Sequence, residues 1–254
     1  MLSLLPTATI EAARDQMVIS AVSSLAILGP AGNLVGVLSR GDLLRLGRAG
    51  ARTDSAARPA LALGPEGVQT RMHREVVTVG VAGTMVEVAR LLASNHIHRV
   101  FVLDGARLVG VIGCQDVMRA VAARRVTAPV SLYMSAPVHA CGLDEPLGLV
   151  IDRLGELQIH GLVVIDGERP VGVFTQREAL AVHARPAETQ IEEVMSYGNV
   201  RVQASAPMHE AAALALTRRA RQVLALDGRQ LRGILTGIDF ALALARAGVP
   251  AAGF

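Results

Sequence analysis

Four segments of the chain share one pattern: a glycine, two apolar residues, a small residue, two variable residues and an acid. They are Gly36-Val37-Leu38-Ser39-Arg40-Gly41-Asp42, Gly110-Val111-Ile112-Gly113-Cys114-Gln115-Asp116, Gly172-Val173-Phe174-Thr175-Gln176-Arg177-Glu178 and Gly233-Ile234-Leu235-Thr236-Gly237-Ile238-Asp239. The leading glycines are 74, 62 and 61 residues apart. A second landmark keeps the same register, since Met72, Met134 and Met195 each stand 38 residues before the glycine of their own copy. A unit of about sixty residues cannot bury both faces of a three-stranded sheet alone, so the copies must pack against one another.

Each copy reads as a short apolar strand, a turn, an amphipathic helix, two strands and a closing helix. Met85, Val88, Ala89 and Leu92 in copy two, and Leu147, Val150, Ile151 and Leu154 in copy three, recur at helical spacing. Asp-Gly follows the second strand of copies two to four, at 104–105, 166–167 and 227–228, as a hairpin turn would require. The equivalent of Met72 in copy one would precede residue 1, so copy one is read as lacking its leading helix. The copies are assigned to 1–48, 68–124, 125–186 and 187–254. Residues 49–67, rich in Arg, Ala, Gly and Pro, are read as a mobile linker.

Composition removes several classes of function. All 25 basic residues are Arg, which excludes a Walker-type lysine and a Schiff-base lysine. Arginine still recognises phosphate through its planar fork. A formal charge of +3 is too small to predict a nucleic-acid partner. Cys114 and Cys141 have no ligand spacing around them and fit buried thiols in a reducing compartment, so a cytoplasmic location is expected. The N-terminus has no basic n-region, and no signal peptide is expected. Met17 to Ser39 is 23 residues without a charge, long enough to span a bilayer. Gly29-Pro30-Ala31-Gly32-Asn33 interrupts it, and two short strands about a turn explain it without a membrane.

A βαββα unit ending in Gly-apolar-apolar-Ser/Thr-x-x-Asp resembles the CBS (cystathionine-β-synthase) domain. The resemblance covers nearly the whole chain. It implies an α/β fold of four repeats, each a three-stranded sheet with two helices, paired into two Bateman modules at 1–124 and 125–254. A four-copy chain is similar to the γ regulatory subunits of AMP-activated protein kinase. The resemblance implies a non-catalytic regulatory sensor with no required cofactor. Its ligand would be an adenine nucleotide (AMP, ADP or ATP) or S-adenosylmethionine, bound in clefts between repeats. The signal would pass to a partner protein, and homodimerisation is compatible with the family.

The motif has its own chemistry. An acid at the mouth of a cleft can accept both ribose hydroxyls. A Ser or Thr three residues earlier, at a strand-to-helix junction, offers a hydroxyl and nearby backbone N–H groups to phosphate. Copies one (Ser39, Asp42) and four (Thr236, Asp239) are intact on this test. Copy three has Thr175 with the longer Glu178, and copy two keeps Asp116 but has Gly113 in place of the hydroxyl. The competing reading is that these acids only cap helices. The resemblance also implies phosphate contact from His98-Arg99 before the central strand of copy two. His160-Gly161, Arg221-Gln222 and Ser24-Leu25 align with that pair. His96 and His98 stand two apart on an expected strand, but no third ligand has matching spacing for a metal. The alternative to a sensor is a ligand-free interaction scaffold built from decayed repeats.

Overall fold

The computed structural model describes residues 2–50 and 59–247, and the side chains of 48–50 are outside the description. Copy one is β1 (Ser3–Leu4), α1 (Ile10–Ile19), β2 (Ser24–Leu28), β3 (Leu34–Ser39) and α2 (Arg40–Gly50). Copy two is β4 (Thr78–Gly80), α3 (Met85–Ser94), β5 (Arg99–Asp104), β6 (Arg107–Gly113) and α4 (Cys114–Ala123). Copy three is β7 (Ala140–Gly142), α5 (Leu147–Glu156), β8 (Gly161–Asp166), β9 (Arg169–Thr175) and α6 (Gln176–Ala181). Copy four is β10 (Val200–Gln203), α7 (Met208–Thr217), β11 (Val223–Asp227), β12 (Gln230–Leu235) and α8 (Gly237–Ala247). The expected α/β class and the four three-stranded sheets are present, the first strand parallel and the third antiparallel to the middle one.

The leading helices start where the sequence supplies a stop to the preceding chain. Thr9 and Thr84 cap α1 and α3 by accepting the Ala12 and Glu87 N–H groups at 3.1 and 3.2 Å. Pro146 and Pro207 hold extended backbone just before α5 and α7. The hairpins turn at Gly105, Gly167 and Gly228, all at φ near +60° as the Asp-Gly pairs predicted.

Copy one does possess its leading helix, contrary to expectation. Ile10, Ala13 and Met17 of α1 are fully buried. Its apolar stripe is thin, one residue per turn at Ile10, Ala13 and Met17, with Glu11, Arg14 and Asp15 between them, which weakens its helical signal. Each of the other copies opens with a short 3-10 turn, at Val68–Thr70, Val130–Leu132 and Ile191–Glu193.

The chain forms two compact units. One contains Met1–Val76 with His139–Tyr197, and the other Val77–Val138 with Gly198–Phe254. Alternate copies share a core because their helices present the apolar faces. In the first unit Ile10, Met17, Leu43 and Leu44 of copy one cluster with Leu147, Ile151, Leu154 and Leu180 of copy three. In the second, Val88, Leu92, Val117 and Met118 of copy two cluster with Met208, Ala212, Phe240 and Leu244 of copy four.

Within each unit, a segment that opens one copy docks on another copy. The segment that opens copy two docks on copy one, where His73 and Val37 exchange two 2.9 Å backbone hydrogen bonds. The segment that opens copy four pairs Ser196 with Val173 of copy three in the same way, and the one that opens copy three pairs Ser135 with Ile234 of copy four. The linker read at 49–67 divides. Residues 51–58 lie outside the described residues, whereas 59–67 is built into the first unit. Leu61 is 1% exposed and donates to the His183 carbonyl, and Ala60 donates to that of Arg185.

Candidate functional site

The residue directly before the closing helix caps it in every copy. The acid of the motif reaches back to that residue, so its carboxylate accepts the backbone N–H. The distances are 2.8 Å for Ser39 to Asp42, 2.9 Å for Gly113 to Asp116, 3.1 Å for Thr175 to Glu178 and 2.6 Å for Thr236 to Asp239. Hydroxyls of Ser39 and Thr236 add bonds of 2.6 and 2.9 Å to the same oxygen, and Thr175 does likewise to Glu178. The capping role weighed in the sequence is therefore real at all four positions. It uses one carboxylate oxygen and leaves the copies to differ at the other.

At Asp42 the second oxygen is taken by Arg45 and by His73 Nε2, the latter at 2.8 Å. At Asp116 it is taken by Arg119 at 2.5 Å, on a carboxylate whose side chain is 44% exposed. At Asp239, among the described residues, it meets the Ser135 hydroxyl alone, at 3.4 Å. Asp42 and Asp239 are both buried, at 8% exposure. Among the described residues no guanidinium pairs with Asp239, and burial holds its carboxyl above the usual aspartate range despite the bonds from Thr236 and Ser135.

His73 and Ser135 were not singled out in the sequence. Each directly follows a landmark methionine, Met72 or Met134, and that adjacency was the signal available. Both reach another copy's acid because the leading segments dock there.

The ionisable residues before the central strands are partly gathered. The second unit contains His98, Arg99, Asp116, Arg221 and Asp239; the first contains Asp42, His160 and Glu178. Burial lowers the Arg99 pKa first, and the charge of Arg221 lowers it further, so copies two and four bring two cations toward one place. His98 Nδ1 lies 3.4 Å from the Cys114 thiol. His160 contributes its carbonyl, which accepts the Gln176 N–H at 3.1 Å. In copy one the position equivalent to His98 is Ser23, not Ser24, because Arg40 donates to the Ser23 carbonyl just as Cys114 donates to that of His98. The hairpin loop of copy one, Gly29 to Asn33, is longer than the others, which displaced the alignment.

His96 and His98 do not share a strand. His96 occupies a left-handed turn at φ +51° and β5 begins at Arg99. Among the described residues no group of three His, Cys, Asp or Glu is placed to hold a metal. No described helix is long and apolar enough to cross a membrane. Met17–Ser39 contains the end of α1 and the β2–β3 hairpin.

Comparison with known proteins places this geometry. The family model of the CBS domain matches residues 1–48, 67–123 and 130–184, more than half of the chain. The solved structure of a Methanocaldococcus jannaschii protein, described as an archaeal homolog of γ-AMPK, superposes with a TM-score of 0.82 at 18% identity, covering 95% of both chains. An uncharacterised conserved protein from Pyrococcus horikoshii gives 0.64 at 19% identity, over 96% of this chain and 95% of that one. The A-adding tRNA nucleotidyltransferase of Geobacter sulfurreducens is 27% identical over 128 residues, half of this chain and 14% of that protein. The chain spans between 14% and 42% of the length of the curated relatives it matches.

Proposed function

Because the chain belongs to the CBS domain family, we propose that it is a non-catalytic sensor of adenine nucleotides or adenosyl compounds that relays their binding to a partner protein. The observation that carries this reading is Asp239. A carboxylate at 8% exposure normally has a cation or a full set of donors, and its second oxygen has one hydroxyl at 3.4 Å. A ribose hydroxyl supplies a further donor at that oxygen, and Thr236, directly before α8, stands at a helix N-terminus suited to a phosphate. Asp42 with Ser39 would form a second site of the same design. Arg99, Arg221 and His98 in the second unit, and His160 in the first, are the side chains proposed for phosphate oxygens. Asp116 and Glu178 are the weaker positions.

A ligand-free scaffold is the second reading, favoured by the fact that all four acids already serve as helix caps. A thermal-shift screen with AMP, ADP, ATP and S-adenosylmethionine, with GMP as control, separates the two. A ligand at a hundred times its dissociation constant stabilises by about 2.7 kcal/mol, several degrees in midpoint. A shift with an adenine ligand that Asp239→Ala abolishes supports the sensor. No shift with any of them, in protein stripped of co-purified nucleotide, supports the scaffold.

A further inference from the structure

The two intact motifs differ in Arg45, which has Leu242 as its counterpart in copy four, and in the side chain that another copy's leading segment inserts. His73 and Ser135 occupy the same place in the fold, each the residue after a landmark methionine and each bridged to the third strand of the copy it visits, at Val37 and Ile234. His73 presents an imidazole to Asp42 at 2.8 Å, whereas Ser135 presents a hydroxyl to Asp239 at 3.4 Å.

We propose that His73 is a specificity-determining residue, a built-in competitor that occupies the Asp42 oxygen a ribose diol would use and so weakens diol binding at copy one relative to copy four. The proposal rests on the sensor reading above. Asp42 accepts four donors, the N–H and hydroxyl of Ser39 on one oxygen and Arg45 and His73 on the other. Four is about the full capacity of a carboxylate, so an incoming diol must displace a resident. Of the two residents on that oxygen, Arg45 is 54% exposed and can also swing away; His73 is the one the visiting segment supplies. Its side chain is 61% exposed, and its backbone is held independently by the two bonds to Val37, so a rotamer change frees the oxygen without undoing the fold. The site chemistry therefore selects a nucleoside with free 2′ and 3′ hydroxyls, at a cost set by the His73–Asp42 bond. A hydrogen bond of this kind contributes about 0.5–1 kcal/mol net, which corresponds to about two- to fivefold in affinity.

Isothermal titration of the full chain with AMP, ATP and S-adenosylmethionine tests this. Asp239→Asn leaves the Asp42 site, and Asp42→Asn leaves the Asp239 site. His73→Ser on the Asp239→Asn background is expected to tighten AMP binding about two- to fivefold. Ser135→His on the Asp42→Asn background is expected to weaken it by a similar factor, with the melting midpoint confirming a folded protein. 2′,3′-Dideoxy-AMP should gain nothing from His73→Ser, because it has no ribose hydroxyl to give the freed acceptor. If wild-type protein binds AMP but His73→Ser leaves the Asp42 site unchanged, weaker or still empty, the competitor role is wrong and the sensor reading survives. If wild type binds none of the three compounds, both fall together.

Discussion

The sulfur of Met72 lies 2.7 Å from where a Cβ on Gly36 would stand, and the His73 carbonyl oxygen lies 3.0 Å from it. The first glycine of the motif is thus explained by a neighbour's chain, the docked leading segment. Met134 covers Gly233 at 2.6 Å, and Gly172 is covered by the Ser196 carbonyl oxygen at 2.7 Å and Met195 at 2.9 Å. Gly110 differs, since its nearest neighbour is Val102 at 3.6 Å.

Alanine at these positions should therefore divide the copies. Gly172→Ala forces a backbone oxygen to move and is expected to destabilise by about 1–3 kcal/mol, read as a lower midpoint in urea. Gly110→Ala meets only ordinary contact and is expected to be neutral or slightly stabilising, because alanine restricts the unfolded chain more than glycine does. Equal losses at both sites would mean that the glycines serve something other than the docked segment.

The two buried acids should respond oppositely to amidation. Asp42→Asn removes charge-assisted bonds from Ser39, Arg45 and His73 and is expected to cost about 1–2 kcal/mol at pH 7, a drop of a few degrees in Tm. Asp239 has a folded pKa above its unfolded value, so its contribution is full below about pH 3.8 and is lost as pH rises through the folded value. Asp239→Asn, in the absence of ligand, should melt above wild type at pH 7, with the gap closing as the pH falls toward 4. A lower Tm for Asp239→Asn at pH 7 would show that its capping bonds outweigh its burial.

Each leading helix ends on a non-glycine residue in left-handed backbone: Ala21, His96, Gln158 and Arg219, all at φ between 51° and 53°. Gly is the residue that relieves this conformation. Gln158→Gly at an exposed position should raise stability by about 0.5–1 kcal/mol, and Gln158→Val should lower it, as measured by thermal melting of both variants.

Burial pushes both thiols up to about 12, most strongly through desolvation. Thiolate, the reactive form, is scarce at neutral pH. Native protein is expected to react with Ellman's reagent only as fast as it unfolds, and to yield two thiols in denaturant. Rapid labelling of Cys114 in the native state would show that the contact with His98 activates it.

The sequence by itself determined the repeat, its βαββα order, the three Asp-Gly hairpins and the four motif acids, because those depend on local spacing and on turn chemistry that acts within a few residues. It also named the two intact copies, Ser39 with Asp42 and Thr236 with Asp239. Tertiary structure decided which copies share a core and what reaches each acid. The helix faces of Ile10 or Val88 are apolar whichever copy they meet, so periodicity cannot choose a partner. His73 lies 31 residues from Asp42, and Ser135 lies 104 from Asp239. Only docking of the leading segments brings those pairs together, and that docking is a property of folded surfaces rather than of spacing along the chain.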